Sequence, residues 1–142
     1  MQLSNVWMAY ADDTDMGMVV VRGRMHMDAV RLSGDFNIRV EMQWLIQGDD
    51  KGAPTDVESE VIERVMSIVC DAVERGNVAV LTAIHTGARQ VRYIFYATSI
   101  DAFSQSVQPL LQRLGNLPLH IAAVVDENWS DYTSMIARQT MT

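Results

Sequence analysis

From Phe36 to Gln47 runs a stretch whose apolar and polar residues alternate as far as Trp44. Phe36, Ile38, Val40, Met42 and Trp44 share one parity; Asn37, Arg39, Glu41 and Gln43 share the other. A period of two over this length predicts a strand with one buried and one polar face. The period then changes. Val57, Val61, Val65, Ile68, Val69 and Ala72 recur at steps of three and four, predicting an amphipathic helix. Thr55 and Glu58 form the capping-box pair at its start, with Asp56, Glu58 and Glu60 where the helix dipole favours negative charge; Gly76 supplies its stop. Asn77 to Thr98 holds two β-rich runs meeting at His85-Thr86-Gly87-Ala88-Arg89, a hairpin around which the chain is built. Gly87 is expected to give this connection its permissive backbone.

A second helix follows from Ser99, with Ile100, Phe103, Val107, Leu110, Leu111 and Leu114 on one side and Gly115-Asn116 at its end. Pro109 falls on the opposite side and is expected to bend this helix without disturbing its stripe. Leu119–Val125 is almost wholly apolar, as in a strand covered on much of both faces. Asp126 to Ala137 reads as a turn and a short helix.

Before Phe36, residues 5–11 and 18–25 read as strands, with Gly23 hinting at a bulge or a close approach. Residues 26–35 stay unassigned apart from a turn at Gly34-Asp35. The loop 48–54 is too short to divide the chain, so 1–142 forms one domain. From Phe36 on, the order is strand, helix, strand, strand, helix, strand. That order predicts an α+β, ferredoxin-like two-layer sandwich: a mostly antiparallel sheet with two helices on one face. The N-terminal strands extend or flank that sheet, and a short C-terminal helix follows it.

Composition narrows the function classes. The chain of 142 residues carries a formal net charge of −7, which argues against nucleic acid and anionic membranes as partners. The single cysteine, Cys70, excludes an internal disulfide and fits a reducing compartment. The first residues carry no signal-peptide pattern and no apolar run reaches membrane-spanning length, so a cytoplasmic location is expected.

Short motifs recur in order along the chain: W-x-x-Y at Trp7 and Tyr10, T-G-x-R at Thr86, Gly87 and Arg89, aromatic-Tyr at Phe95-Tyr96, and D-x-x-W-x-x-Y at Asp126, Trp129 and Tyr132. In this the chain resembles the bacterial family known as domain of unknown function 695. That family brings no established activity. Its distant similarity to the regulator of ribonuclease activity B proteins implies a ferredoxin-like fold and action by binding a partner enzyme, an analogy of fold that transfers no residue-level site.

The residues themselves suggest little chemistry. His26, His85 and His120 lie at no metal-ligand spacing, and Cys70 has no C-x-x-C partner. Met25-His26-Met27 is a soft Cu(I)-like set, but seven of the ten methionines precede residue 45, which points to methionine packing. Asp12, Asp13 and Asp15 before Gly17 are out of register for a calcium loop. Asp71 and Glu74 beside Cys70 are expected to raise its pKa. No cofactor and no metal are expected, and nothing assembles a catalytic set. Trp7, Tyr10, Trp129 and Tyr132 read as packing that ties both chain ends to the core.

Strand alternation places Arg22, Arg24, Arg39, Glu41, Gln43, Arg92 and Tyr96 together on the sheet face away from the helices. Such a cluster grips a carboxylate, a phosphate or an acidic protein; the plain alternative is a solvated face with cross-strand Arg–Glu pairs. The expected function is a non-catalytic, regulatory protein-binding module using this face or the acidic outer face of the first long helix. The alternative is a small anionic-ligand-binding domain or weak enzyme with the same arginines and Tyr96 as a polar wall. An exposed edge strand also allows a homodimer.

Overall fold

The computed structural model describes residues 2–140. In chain order its elements are β1 (Trp7–Thr14), β2 (Gly17–Arg24), α1 (Asp28–Leu32), β3 (Ile38–Leu45), α2 (Asp56–Arg75), β4 (Ala79–Gly87), β5 (Gln90–Ala97), α3 (Ile100–Val107), β6 (His120–Val125) and α4 (Ser130–Thr140). One six-stranded sheet runs β1-β2-β4-β5-β3-β6, with every neighbouring pair antiparallel. Strands β4, β5, β3 and β6 stand in the ferredoxin-like order. The β1–β2 hairpin extends that sheet beyond β4, which settles the pairing left open by the sequence. No helix among the described residues is long and apolar enough to cross a membrane.

The predicted capping box caps α2. The Thr55 hydroxyl accepts from the Glu58 amide, and the Glu58 carboxylate accepts from Thr55, Gln47 and Gly48 amides, tying the 48–54 loop to the helix start. These bonds outweigh the cost of burial and hold the Glu58 carboxyl below its ordinary pKa. The side of α2 against the sheet is Ile62, Val65, Val69 and Val73, while Val57 is exposed, so the contact stripe is turned from the expected one. Pro109 does more than bend the next helix. The α-helical part stops at Val107 and a 3-10 turn, Gln108–Leu110, replaces the remainder, because proline has no amide to donate and its ring crowds the preceding turn.

The hairpin turn is Ala88-Arg89, both with positive φ (53° and 62°), as a two-residue type I′ connection requires. Gly87 is therefore not in the turn itself. At φ 137°, it ends β4 where a Cβ would lie 2.3 Å from the Met18 carbonyl oxygen, so glycine is needed for β2 to pair alongside. A bulge between Leu81 and Ala83 leaves Thr82 unpaired in β4; its buried hydroxyl donates to the Ile94 carbonyl. One extra residue reverses the parity of the strand beyond it.

The core has two halves. Val40, Met42, Leu81, Tyr93 and Phe95 pack under α2 and α3. On the other face Val19, Val21, Ile94 and Tyr96 pack under Trp129, Tyr132 and Met135 of the α4 region and Val30 of α1. The face expected to lie open is thus partly roofed. A second expectation also changes: β6 is an edge strand whose residues from Ala122 to Val125 are exposed rather than covered.

Candidate functional site

The seven residues expected on one open face divide between two. On the α4 side, Arg39 donates through Nε to Asp131 (3.0 Å) and through Nη2 to Glu41 (3.3 Å). Arg92 donates to Glu41 (3.4 Å) and to His85 Nδ1 (3.2 Å), and Gln43 donates to Gln90. This is a cross-strand network in which each guanidinium already faces a carboxylate. Burial works against the charge of Arg39, but Asp131 and Glu41 outweigh it and raise its pKa.

Arg22 and Arg24 point the other way, toward α2. The register Val21↔His85 and Arg22↔Ile84, with His85↔Arg92 and Ile84↔Tyr93 on the next strand, turns Val19 and Val21 to the α4 side and both arginines to α2. Arg22 pairs with Glu63 (2.8 Å). Arg24 is 6% exposed: it pairs with Glu74 (2.9 Å), donates to the Leu81 (3.0 Å) and Ser4 (2.7 Å) carbonyls, and lies 5.3 Å from the Trp7 ring centroid. It is a core ion pair and not a surface grip.

Tyr96 is no pocket wall either. Fully buried, it stacks on Trp129 at 4.3 Å between centroids and donates to Asp126 (2.7 Å). Burial and that bond push its pKa up. Asp126 also accepts the Ser130 and Asp131 amides at the start of α4, and these bonds hold its carboxyl down against the effect of burial. Trp129 Nε1 donates to the Phe36 carbonyl and the Tyr132 hydroxyl to the Arg24 carbonyl. The D-x-x-W-x-x-Y motif is therefore the clasp that fastens α4 to the sheet.

Met27 is fully buried while His26 is exposed, so Met25-His26-Met27 does not converge. No group of three His, Cys, Asp or Glu side chains among the described residues is placed to hold a metal ion. Burial, then Glu74, pushes the Cys70 thiol up to about 12, which keeps it protonated and unreactive.

His85 makes a measurable prediction. Burial and the neighbouring Arg92 lower its pKa to about 4. The unfolded chain takes up this proton near pH 6.5, so stability is full above that pH and falls as pH drops toward 4. The expected loss over this window is roughly 2–3 kcal/mol, read from urea unfolding at stepped pH. His85→Gln is expected to flatten the curve there; an unchanged slope would place the acid sensitivity elsewhere.

A groove that the T-G-x-R motif touches through Thr86 and Gly87 lies between α2, β2 and the 48–54 loop. Its volume is about 400 Å³, and its lining includes Met18, Val20, Pro54 and Ile62 with Arg22, Lys51 and Glu63 as polar members. It exists because α2 reaches β2 only at Arg22 and Arg24, and leaves Met18 and Val20 on the same side uncovered. Met18 is 53% and Val20 45% exposed, while Val19 and Val21 on the other parity are buried. The sequence did carry a signal. Met18–Val21 is apolar at both parities, the pattern of a strand meant to be covered on both faces.

No curated protein and no solved structure matches the chain. Residues 5–136, nearly the whole chain and all the motifs above, match the family of unknown function DUF695, and the protein is a member of that family.

Proposed function

We propose that this chain is a non-catalytic, regulatory protein-binding module of the bacterial cytoplasm, and that its partner docks in the groove between α2 and β2. The observation that carries this reading is the pair Met18 and Val20, apolar and half exposed on a strand whose opposite face is sealed. Apolar surface gathered in a concave patch with a polar rim is what a protein partner covers. The occupant is an apolar segment that fills the space above Val20 and Ile62, with polar groups meeting Arg22, Glu63 and Lys51. The acidic outer face of α2, expected from the sequence as a binding surface, supplies Glu63 to this rim. The groups with strongly shifted pKa values fit such a role, since they are engaged in the fold: Tyr93 donates to the Ile62 carbonyl, Tyr96 to Asp126, His85 faces Arg92, and the Cys70 thiol packs against the core.

The anionic-ligand reading has one observation behind it, the buried Arg92 Nε that lacks a hydrogen-bond partner. Its other donors face Glu41 and His85, so an anion there must displace a carboxylate already in place. The groove reading is stronger.

Capture of the tagged protein from lysate of its own cells tests it, with Val20→Glu as the variant. A stoichiometric protein partner is expected on the wild type, with affinity lost roughly tenfold or more in the variant. Equal capture by both removes the groove from consideration. No partner, together with thermal stabilisation by an anionic metabolite, would favour the ligand reading instead.

A further inference from the structure

At the end of the sheet opposite the groove, β6 presents an open edge. Nothing among the described residues pairs with its outer side. Edge strands are normally protected by charges, prolines or bulges. Between Pro118 and Asp126 the chain has no Lys, Arg, Asp or Glu, and Val124 and Val125 are 56% and 65% exposed. The other edge, β1, does carry such protection in Asp12 and Asp13.

The backbone direction follows from one bond. The Asp126 amide donates to the Asn37 carbonyl at 2.8 Å, so Asn37 and Asp126 form a hydrogen-bonded antiparallel pair. Continuing that ladder, Val124, Ala122 and His120 bond inward to β3, opposite Arg39, Glu41 and Gln43. Ile121, Ala123 and Val125 therefore aim their amides and carbonyls outward. We infer that the occupant of this edge is a second copy of the chain, joined β6 to β6 about a two-fold axis through Ala123. In that register each Ala123 exchanges both hydrogen bonds with its twin, and Ile121 pairs with Val125 of the other copy.

The same register is complementary in its polar side chains. His120 of one copy stands opposite Asp126 of the other, on the same side of the sheet, and the symmetry repeats the contact. No charge opposes its like along the strand. The joined sheet runs antiparallel through both molecules, and both grooves stay free at its outer ends. The dimer thus stands or falls independently of the groove.

Sedimentation velocity over a wide dilution series tests this with the full chain. A reversible species of twice the 15.9 kDa monomer mass is expected. Ala123→Pro removes an outward amide and leaves the bonds to β3 untouched, so it is expected to give a monomer with the wild-type circular dichroism spectrum. If that variant misfolds, Val124→Lys puts a charge on the edge and is expected to weaken the dimer likewise. Slowed hydrogen exchange at Ile121, Ala123 and Val125 in the dimer is the direct signature. A wild type that is monomeric at every concentration overturns the inference, as does a dimer indifferent to both variants. A monomer whose β6 amides are protected only by an added extended peptide overturns it too, and assigns the edge to a different partner.

Discussion

Replacing Trp129 with alanine is expected to lower the unfolding free energy by roughly 3–5 kcal/mol, the range for a large aromatic removed from a core. Trp129 is 1% exposed, stacks on Tyr96, meets Tyr132 edge-on at 5.5 Å, and donates Nε1–H to the Phe36 carbonyl at 2.7 Å. Its loss leaves a cavity and a buried carbonyl without a partner, and frees the two tyrosines. Trp129→Phe keeps an aromatic ring and loses the hydrogen bond, so about 1–2 kcal/mol is expected from that change. Urea denaturation measures both, and hydrogen exchange in α4 shows whether the helix detaches first. A cost for the alanine variant below about 1 kcal/mol would mean that α4 is held by something other than this clasp.

The second large effect is expected at Arg24. Arg24→Met retains bulk but strands the Glu74 carboxylate and removes the donor to the Leu81 and Ser4 carbonyls. Breaking one side of a buried pair costs about 3–5 kcal/mol. The double variant Arg24→Met with Glu74→Gln is expected to recover a large part of this, because the amide oxygen of Gln still accepts the Leu81 amide that Glu74 now holds at 2.9 Å and brings no charge. Additive losses in the double-mutant cycle would show that the two side chains act independently. A surface arginine, as the sequence suggested for this position, would cost under about 1 kcal/mol, so the experiment separates the two placements cleanly.

Both residues show how much of the candidate site could be read from the chain alone. The motifs that mark the family are mostly architecture: Asp126, Trp129 and Tyr132 clasp α4 to the sheet, Trp7 covers Arg24, and Gly87 admits β2. Their packing role was legible, because large aromatic side chains near the chain ends bury the most surface when they fasten those ends to the core. Arg39 and Arg92 did come together with Glu41, as cross-strand pairing predicts. The groove was only half legible: Met18–Val21 announced two apolar parities, but not which would remain uncovered.

What the sequence determined by itself is local. The alternation along β3, the Thr55–Glu58 cap, the β4–β5 hairpin and the order of elements each depend on residues close together in the chain, and they sufficed for the ferredoxin-like core. Tertiary structure alone decided which sets of side chains share a side. Alternation sorts a strand into two sets, but the register with its neighbour says which set of one strand lies beside which set of the next. Here β2 pairs Val21 with His85, which in turn pairs with Arg92, so Val21 shares the side of Arg92 while Arg22 and Arg24 go to α2 and away from Arg39 and Arg92. Likewise β6 reads as a covered strand from its composition, yet it lies at the sheet edge, because burial depends on what the fold places beside a strand and not on the strand's own hydrophobicity.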